Sequence, residues 1–462
     1  MNSVVQISAA AGQGETRRFP WFTFVFLTAC FFIALHDPTR SFSIQGDYLP
    51  SGDTLEKHAA DGNVKRQIGF LGAGAFGFLV MVGARRKSLQ VNGTLALLVF
   101  FLLTWILLSV TWADERTLSA RRLVVIATLC FGAIAVACSL TPREIMLFVL
   151  FSSMVYLVAG ITSEIAIGTF TPTAERYRFS GTLHPNNQGV NCSLILLASI
   201  TALHTEKRFK SLFIACAGLA FLFLVLTKSR TSLLAFLVTF AVYSVLVYGR
   251  SRHFAYICTL ATTAVLIVLF VASDAVAPAL ERSLLMGRTD QDISGTMSLT
   301  GRLPLWQDLI EYAAVRPFQG YGYGSFFTVE HIREISDRQG WPIAECHSVF
   351  LEVLLGLGVI GLIAYSLIQF IGIAVAARYF RVTLDPHFAF LGGLLVLGVI
   401  GGFSESTLLV PTMQTFVQFI TLGYFGFVAG PPLVEAFASS RDRRRFSAPA
   451  LRRPTAMPRG HA

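Results

Sequence analysis

The chain has 462 residues, is 54% hydrophobic and only 14% charged, and carries a net charge of +10. Soluble domains average about 25% charged residues. Apolar runs of about 20 residues recur along nearly the whole length, which excludes a soluble globular protein; the runs do not alternate every second residue, which excludes a membrane barrel.

In chain order, apolar spans are expected near 20–36, 68–84, 94–112, 123–139, 145–166, 188–204, 211–227, 231–249, 254–273, 348–377, 388–409 and 413–432. The fold class expected is an all-α polytopic membrane protein of about 12 transmembrane helices. The first run, "RRFPWFTFVFLTACFFIALH", has the flank of a signal peptide, but an uncleaved first span suits so apolar a chain better. The division expected is a cytoplasmic segment 1–19, spans 20–273, a long periplasmic loop 274–346, spans 347–434 and a basic cytoplasmic tail 435–462. The tail, "RDRRRFSAPALRRPTAMPRGHA", reads as a topology signal drawn to anionic lipid. It lacks interleaved aromatics, so nucleic acid is not an expected partner.

Basic connectors at Ala84–Lys87, Thr205–Lys210, Arg250–Arg252 and Arg378–Arg381 fall on the side of that tail, the cytoplasmic side by the positive-inside rule. "ADERTLSARR" disagrees, since it puts Arg121 and Arg122 outside. On this topology "RYRFSGTLHPNNQG", "TKSRTS", the long loop and "SESTLLVP" share the periplasmic face, where polar chemistry gathers.

Within the loop, "RLPLWQDLIEYAAVRP" has helical spacing of Trp306, Leu309 or Ile310, and Ala313, with Pro304 in its first turn and Arg316-Pro317 ending it. Such a helix suits a membrane surface. "GYGYGSFF" follows and reads as tight turns; a dinucleotide fingerprint would need a strand–turn–helix frame. Asp290 and Asp292 match an Asp-x-Asp metal pattern without a supporting strand, so no metal or cofactor is expected. Cys30, Cys130, Cys138, Cys192, Cys216 and Cys258 lie inside apolar runs, Cys346 sits at a boundary, and no disulfide or zinc spacing appears.

The candidate chemistry rests on cations and one histidine. Arg230 and Lys228 sit in the "KSR" turn, Arg302 opens the loop helix, and Arg178 precedes the sixth span. Arginine binds phosphate through a planar fork and stays charged, although a single interfacial arginine more often snorkels to headgroups. His347, at the mouth of a span, suits proton transfer from a hydroxyl, and Glu352 about one turn on is a candidate to orient it. Glu405 is a second acid at membrane depth. His184 in "GTLHPNNQG" is weighed between a helix start and a site residue.

The ordered set "GTLHPNNQG", "KSRTS", "SLTGRLPLW", "RPFQGYGYGSFF" and "HSVFLEVLLGLGVIGL" resembles the O-antigen ligase/polymerase superfamily over about Arg178 to Leu362. That superfamily includes WaaL-type ligases, Wzy-type polymerases and ExoQ-like exopolysaccharide proteins, and the loop looks most like the ExoQ-like branch. The resemblance implies a GT-C type glycosyltransferase of the bacterial inner membrane, acting at the periplasmic face on a polyprenyl-diphosphate-linked oligosaccharide. It implies that Arg230 and Arg302 grip the diphosphate and His347 acts at the acceptor hydroxyl. Lys228, Arg178, Asn187, Trp306 and Glu352 are the expected donor- or acceptor-binding residues. The family often has His-Asn where this chain has His347-Ser348, which leaves the role of position 348 open. Partners expected are the lipid-linked oligosaccharide, the bilayer and a chain-length regulator. A ligase acting on lipid A core is the alternative within the enzyme class, and a flippase or other transporter the alternative outside it. Transport is disfavoured because mid-span acids are few and no twofold repeat appears.

Overall fold

The computed structural model describes residues 20–35, 64–83, 91, 93–174, 177–249, 299–409 and 411–429. Among these the chain is helical and contains no strand. The helices in order are α1 Trp21–Leu35, α2 Val64–Gly83, α3 Gly93–Ser109, α4 Arg116–Ser139, α5 Pro142–Ile167, α6 Pro185–Thr205, α7 Lys210–Leu226, α8 Arg230–Tyr248, α9 Leu299–Val315, α10 Val329–Gln339, α11 Val349–Thr383, α12 Pro386–Gly402 and α13 Met413–Phe427. Every expected apolar segment except 254–273 is a helix; that segment, like Arg176, Asp290 and Asp292, lies outside the described residues. By length and apolar composition α4, α5, α8 and α11 suffice to cross a membrane, and α1, α3, α7 and α12 are shorter apolar helices. Large apolar side chains stand exposed on the outer helices, among them Phe22, Phe78, Leu97, Phe100 and Leu222. So broad an apolar surface fits hydrocarbon rather than water.

α6 and α12 form the centre. α12 is buried along nearly its whole length, because its small residues let neighbours approach closely. A side chain at Gly393 would meet Leu197 of α6, and one at Gly402 would meet Val349 of α11.

α9 starts at Leu299, so Pro304 lies inside the helix rather than in its first turn. Its apolar stripe is Leu305, Leu309 and Ala313, all buried, while Ile310 is exposed. That stripe faces into the protein. It packs with Tyr321, Phe326, Ile332, Ile335, Trp341 and Ile343 into a small separate core, to which α11 adds Leu355. α10 completes this cap, with Thr328 capping its first turn.

The glycine-aromatic turns dock the cap onto α11. There the helix breaks at Gly358 (φ 68°, ψ −171°), a conformation almost restricted to glycine. The break frees backbone groups, and the cap satisfies them: Tyr321 N donates to Leu355 O at 2.8 Å, and Val359 N to Pro317 O at 2.8 Å. Trp105 Nε1 of α3 donates to Leu357 O at 3.0 Å. A Cβ at Gly358 would lie 2.1 Å from Phe318 O. Gly358→Ala is therefore expected to cost at least the ~1–3 kcal/mol of such backbone strain. The purified variant should melt below the parent in detergent.

Arg122 of α4 explains the basic connector that disagreed with the topology. Its guanidinium donates to Gly324 O, so it braces the glycine turns instead of marking a side of the membrane.

Candidate active site

The helices alternate in direction, and one end of the bundle collects the expected chemistry. α6, α8, α11 and α13 all begin there, while α7 and α12 end there. Helix starts present unpaired N–H groups and a partial positive charge, a setting that favours anions.

The first wall is the segment before α6. Glu164, near the end of α5, accepts from Ser180 N at 3.0 Å, from Gly181 N at 2.7 Å and from the Tyr177 hydroxyl. Phe179 N donates to Leu226 O at 2.9 Å, tying the segment to the end of α7. Arg178 is thereby held against the "TKSR" turn, donating from Nε to Thr227 O at 3.2 Å and from Nη2 to Asn186 Oδ1 at 3.3 Å. His184 caps α6, with its Nδ1 accepting from Asn186 N. Burial, and then the charge of Arg178, drive the His184 imidazole down to about 3, so at neutral pH it is uncharged. With Nδ1 accepting, its proton sits on Nε2.

A polar chain then crosses to the other walls. Asn186 Nδ2 donates to Glu405 Oε1 at 2.7 Å. The same carboxylate oxygen lies 3.6 Å from Arg302 Nη2, and Arg302 Nη1 donates to Ser404 O at 2.6 Å. Arg302 is only 6% exposed, yet a guanidinium has five N–H donors, so these two partners do not exhaust it. Burial pushes the Glu405 carboxyl above its ordinary value, although Arg302 pulls the other way. A raised folded-state value means that Glu405 holds its proton more tightly folded than unfolded. Its contribution to stability is present at low pH and lost as pH rises through the window just above the usual carboxylate range. The change in melting temperature caused by Glu405→Gln should therefore be more favourable at pH 7 than at pH 4, relative to the parent. An equal shift at both pH values would contradict this.

His347 faces this network from the start of α11. Its Nδ1 lies 3.1 Å from Glu345 Oε1, and its ring stacks on Trp341 with centroids 5.9 Å apart. The backbone at His347 is left-handed (φ 49°), a conformation uncommon for a residue other than glycine. The cap holds it there, since Trp306 Nε1 donates to Cys346 O at 3.0 Å. Burial would raise the Glu345 carboxyl, but its contact with His347 and the charge of Arg302 outweigh it and hold it below the ordinary range. Glu345 is thus an anion at neutral pH, and it engages the Nδ1 side of the ring, which leaves Nε2 as the nitrogen turned from it.

Arg178, Arg302 and His347 come together at this end, bridged by Asn186, Glu405 and Glu345, none of which the motif reading named as a binding residue. Arg230 opens α8 after the Ser229 cap, half-exposed, and Ser232 one turn on donates to Asn186 O at 2.9 Å. Lys228 sits in the turn with a left-handed backbone (φ 50°). Asn187 turns away from the chain of bonds and lines a neighbouring cavity. The carboxylate against the imidazole is Glu345, whereas Glu352 accepts from Leu409 N and lies near Arg122. Glu352 so ties α11 to the 403–412 loop that carries Glu405. The Ser348 hydroxyl makes only a long 3.5 Å contact with Gly402 O and does not cap α11.

Residues 215–366 match the family model described as Wzy_C: O-Antigen ligase. That stretch includes Arg230, Arg302, Glu345 and His347, while Arg178, His184, Asn186 and Glu405 lie outside it. The exopolysaccharide production protein ExoQ of Rhizobium meliloti (strain 1021) is 31% identical over 138 residues. The alignment covers 27% of this chain and 31% of that relative, so it spans less than a third of the relative's length. On these two findings the chain is similar to the O-antigen ligase/polymerase superfamily over the part that carries Arg230, Arg302 and His347.

Proposed function

We propose that the protein is a membrane glycosyltransferase that polymerises polyprenyl-diphosphate-linked oligosaccharide units of an exopolysaccharide or O-antigen at the periplasmic face of the inner membrane. The observation that carries this reading is the Glu345–His347 pair set beside Arg302 at an end of the bundle where helix N-termini converge. The name of the Rhizobium relative, an exopolysaccharide production protein, supports an exopolysaccharide as the product.

In this reading the acceptor hydroxyl gives its proton to His347 Nε2 while its oxygen attacks the anomeric carbon. The bond from that carbon to the diphosphate oxygen breaks, and the electron pair leaves with the polyprenyl diphosphate. Glu345 stabilises the imidazolium that forms. Arg302 and Arg230, with Arg178 and Lys228 nearby and the helix N-termini behind them, absorb the charge developing on the leaving group. Cations then do what a divalent metal does in other transferases. Attack opposite the leaving group inverts the anomeric centre.

The family description, O-antigen ligase, favours a second reading in which the acceptor is lipid A core. Reconstitution into vesicles with a lipid-linked repeat unit tests both. A ladder of lengthening glycans supports the polymerase, and transfer only when core acceptor is added supports the ligase. Glycan crossing the bilayer with no new glycosidic bond would overturn both in favour of a transporter.

A further inference from the structure

His184 also lines a cavity of about 120 Å³. One water needs about 10–15 Å³ on this kind of measure, so the space is large enough for a group of sugar size. It is walled by α1, α2, α5, α6 and the first turn of α13, at the same end of the bundle as the transfer centre. The Tyr156 and Thr182 hydroxyls line it, 1% and 3% exposed as residues, and neither finds a hydrogen-bond partner among the described residues. Buried hydroxyls without partners are costly, on the order of 1–3 kcal/mol each, and are seldom kept without a use. The side-chain amides of Asn187 and Gln414 also line the space, as does the Arg66 cation. Between these polar groups stand apolar side chains, Val190 and Met413 among them.

We propose that this cavity is a monosaccharide subsite that holds one sugar ring of the glycan beside the transfer centre. The amides offer both donors and acceptors, as a ring with several hydroxyls requires, the two orphan hydroxyls complete the set, and the apolar groups suit the C–H face of a ring. A hydrocarbon tail would leave the Tyr156 and Thr182 hydroxyls unpaired. His184 joins the two sites, since its uncharged ring lines the cavity while its neighbours are Arg178, Glu345, His347 and Arg302. The inference rests on the transferase reading for its substrate class, but its test does not depend on turnover.

The probes are oligosaccharides released by partial acid hydrolysis from the host's own polymer, which carry no diphosphate, and farnesyl diphosphate. Saturation-transfer NMR on the purified protein reads each separately. The parent should bind both. Asn187→Leu and Gln414→Leu should lose oligosaccharide binding about tenfold or more while keeping farnesyl diphosphate and a parental melting curve. Arg302→Ala should do the reverse. In turnover the two cavity variants should raise KM for the lipid-linked donor or for the acceptor glycan, which assigns the subsite to one of them. No oligosaccharide binding by the parent, parental binding by both folded leucine variants, or unchanged KM for both substrates would overturn the subsite. Failure of the parent to bind farnesyl diphosphate would count against the transferase reading alone, because the oligosaccharide arm still decides the cavity.

Discussion

His347→Ala should lower glycan transfer by about 10²–10⁴-fold, the usual contribution of a positioned acid or base, with little change in binding of the lipid-linked donor. The protein should remain in the membrane and melt close to the parent, because the His347 side chain is 18% exposed and is not part of the bundle core. Glu345→Gln should give a smaller loss. Glutamine still offers an oxygen to Nδ1–H, so the tautomer survives, but the imidazolium formed during transfer loses its anionic partner. The two effects separate by pH profile: the Gln variant should keep a titrating base and the Ala variant should have none. Activity persisting at the parental level in His347→Ala would remove the base from the mechanism.

Arg302→Ala should be the second large effect, and it should act on binding and on rate together. Loss of one preorganised donor to a developing anion costs about 2.7–4 kcal/mol, or roughly 10²–10³ in rate. Arg302→Lys should recover little, because one ammonium cannot hold Ser404 O, face Glu405 and present a fork to a diphosphate. Removing a nearly buried cation also strands Glu405, and breaking a buried pair costs about 3–5 kcal/mol of stability. Arg302→Ala with Glu405→Gln separates the two roles. The double variant should regain much of the lost melting temperature and none of the activity. Regained activity would mean that Arg302 serves only to neutralise Glu405.

The apolar runs made the bundle readable from the sequence, because a long apolar stretch in lipid has few choices but a helix. The cap helix was also legible, from the spacing of Leu309 and Ala313. Partner choice was not. Glu352 looked like the acid for His347 by helical spacing, yet α11 begins only at Val349, so His347 stands outside the helix and that spacing does not apply. Glu345, two residues before it in an irregular turn, reaches the ring instead. In "HPNNQG" the composition could not say which asparagine faces the arginines. One step along a helix turns a side chain by about 100°, and that step sends Asn186 to Glu405 and Asn187 to the cavity. The expected span 348–377 runs straight through "GLGVIGL", since glycine is common in membrane helices and does not by itself mark a break. The break at Gly358 becomes visible only when the loop ending at Tyr321 is seen supplying the backbone partners.

Counting new glycosidic bonds against polyprenyl diphosphate released, in vesicles under single-turnover conditions, tests the central claim most directly. The parent should give one bond per diphosphate released, and His347→Ala should give neither while its donor stays bound. Bond formation at the parental rate in His347→Ala, or glycan translocated by the parent with no diphosphate released, would contradict it.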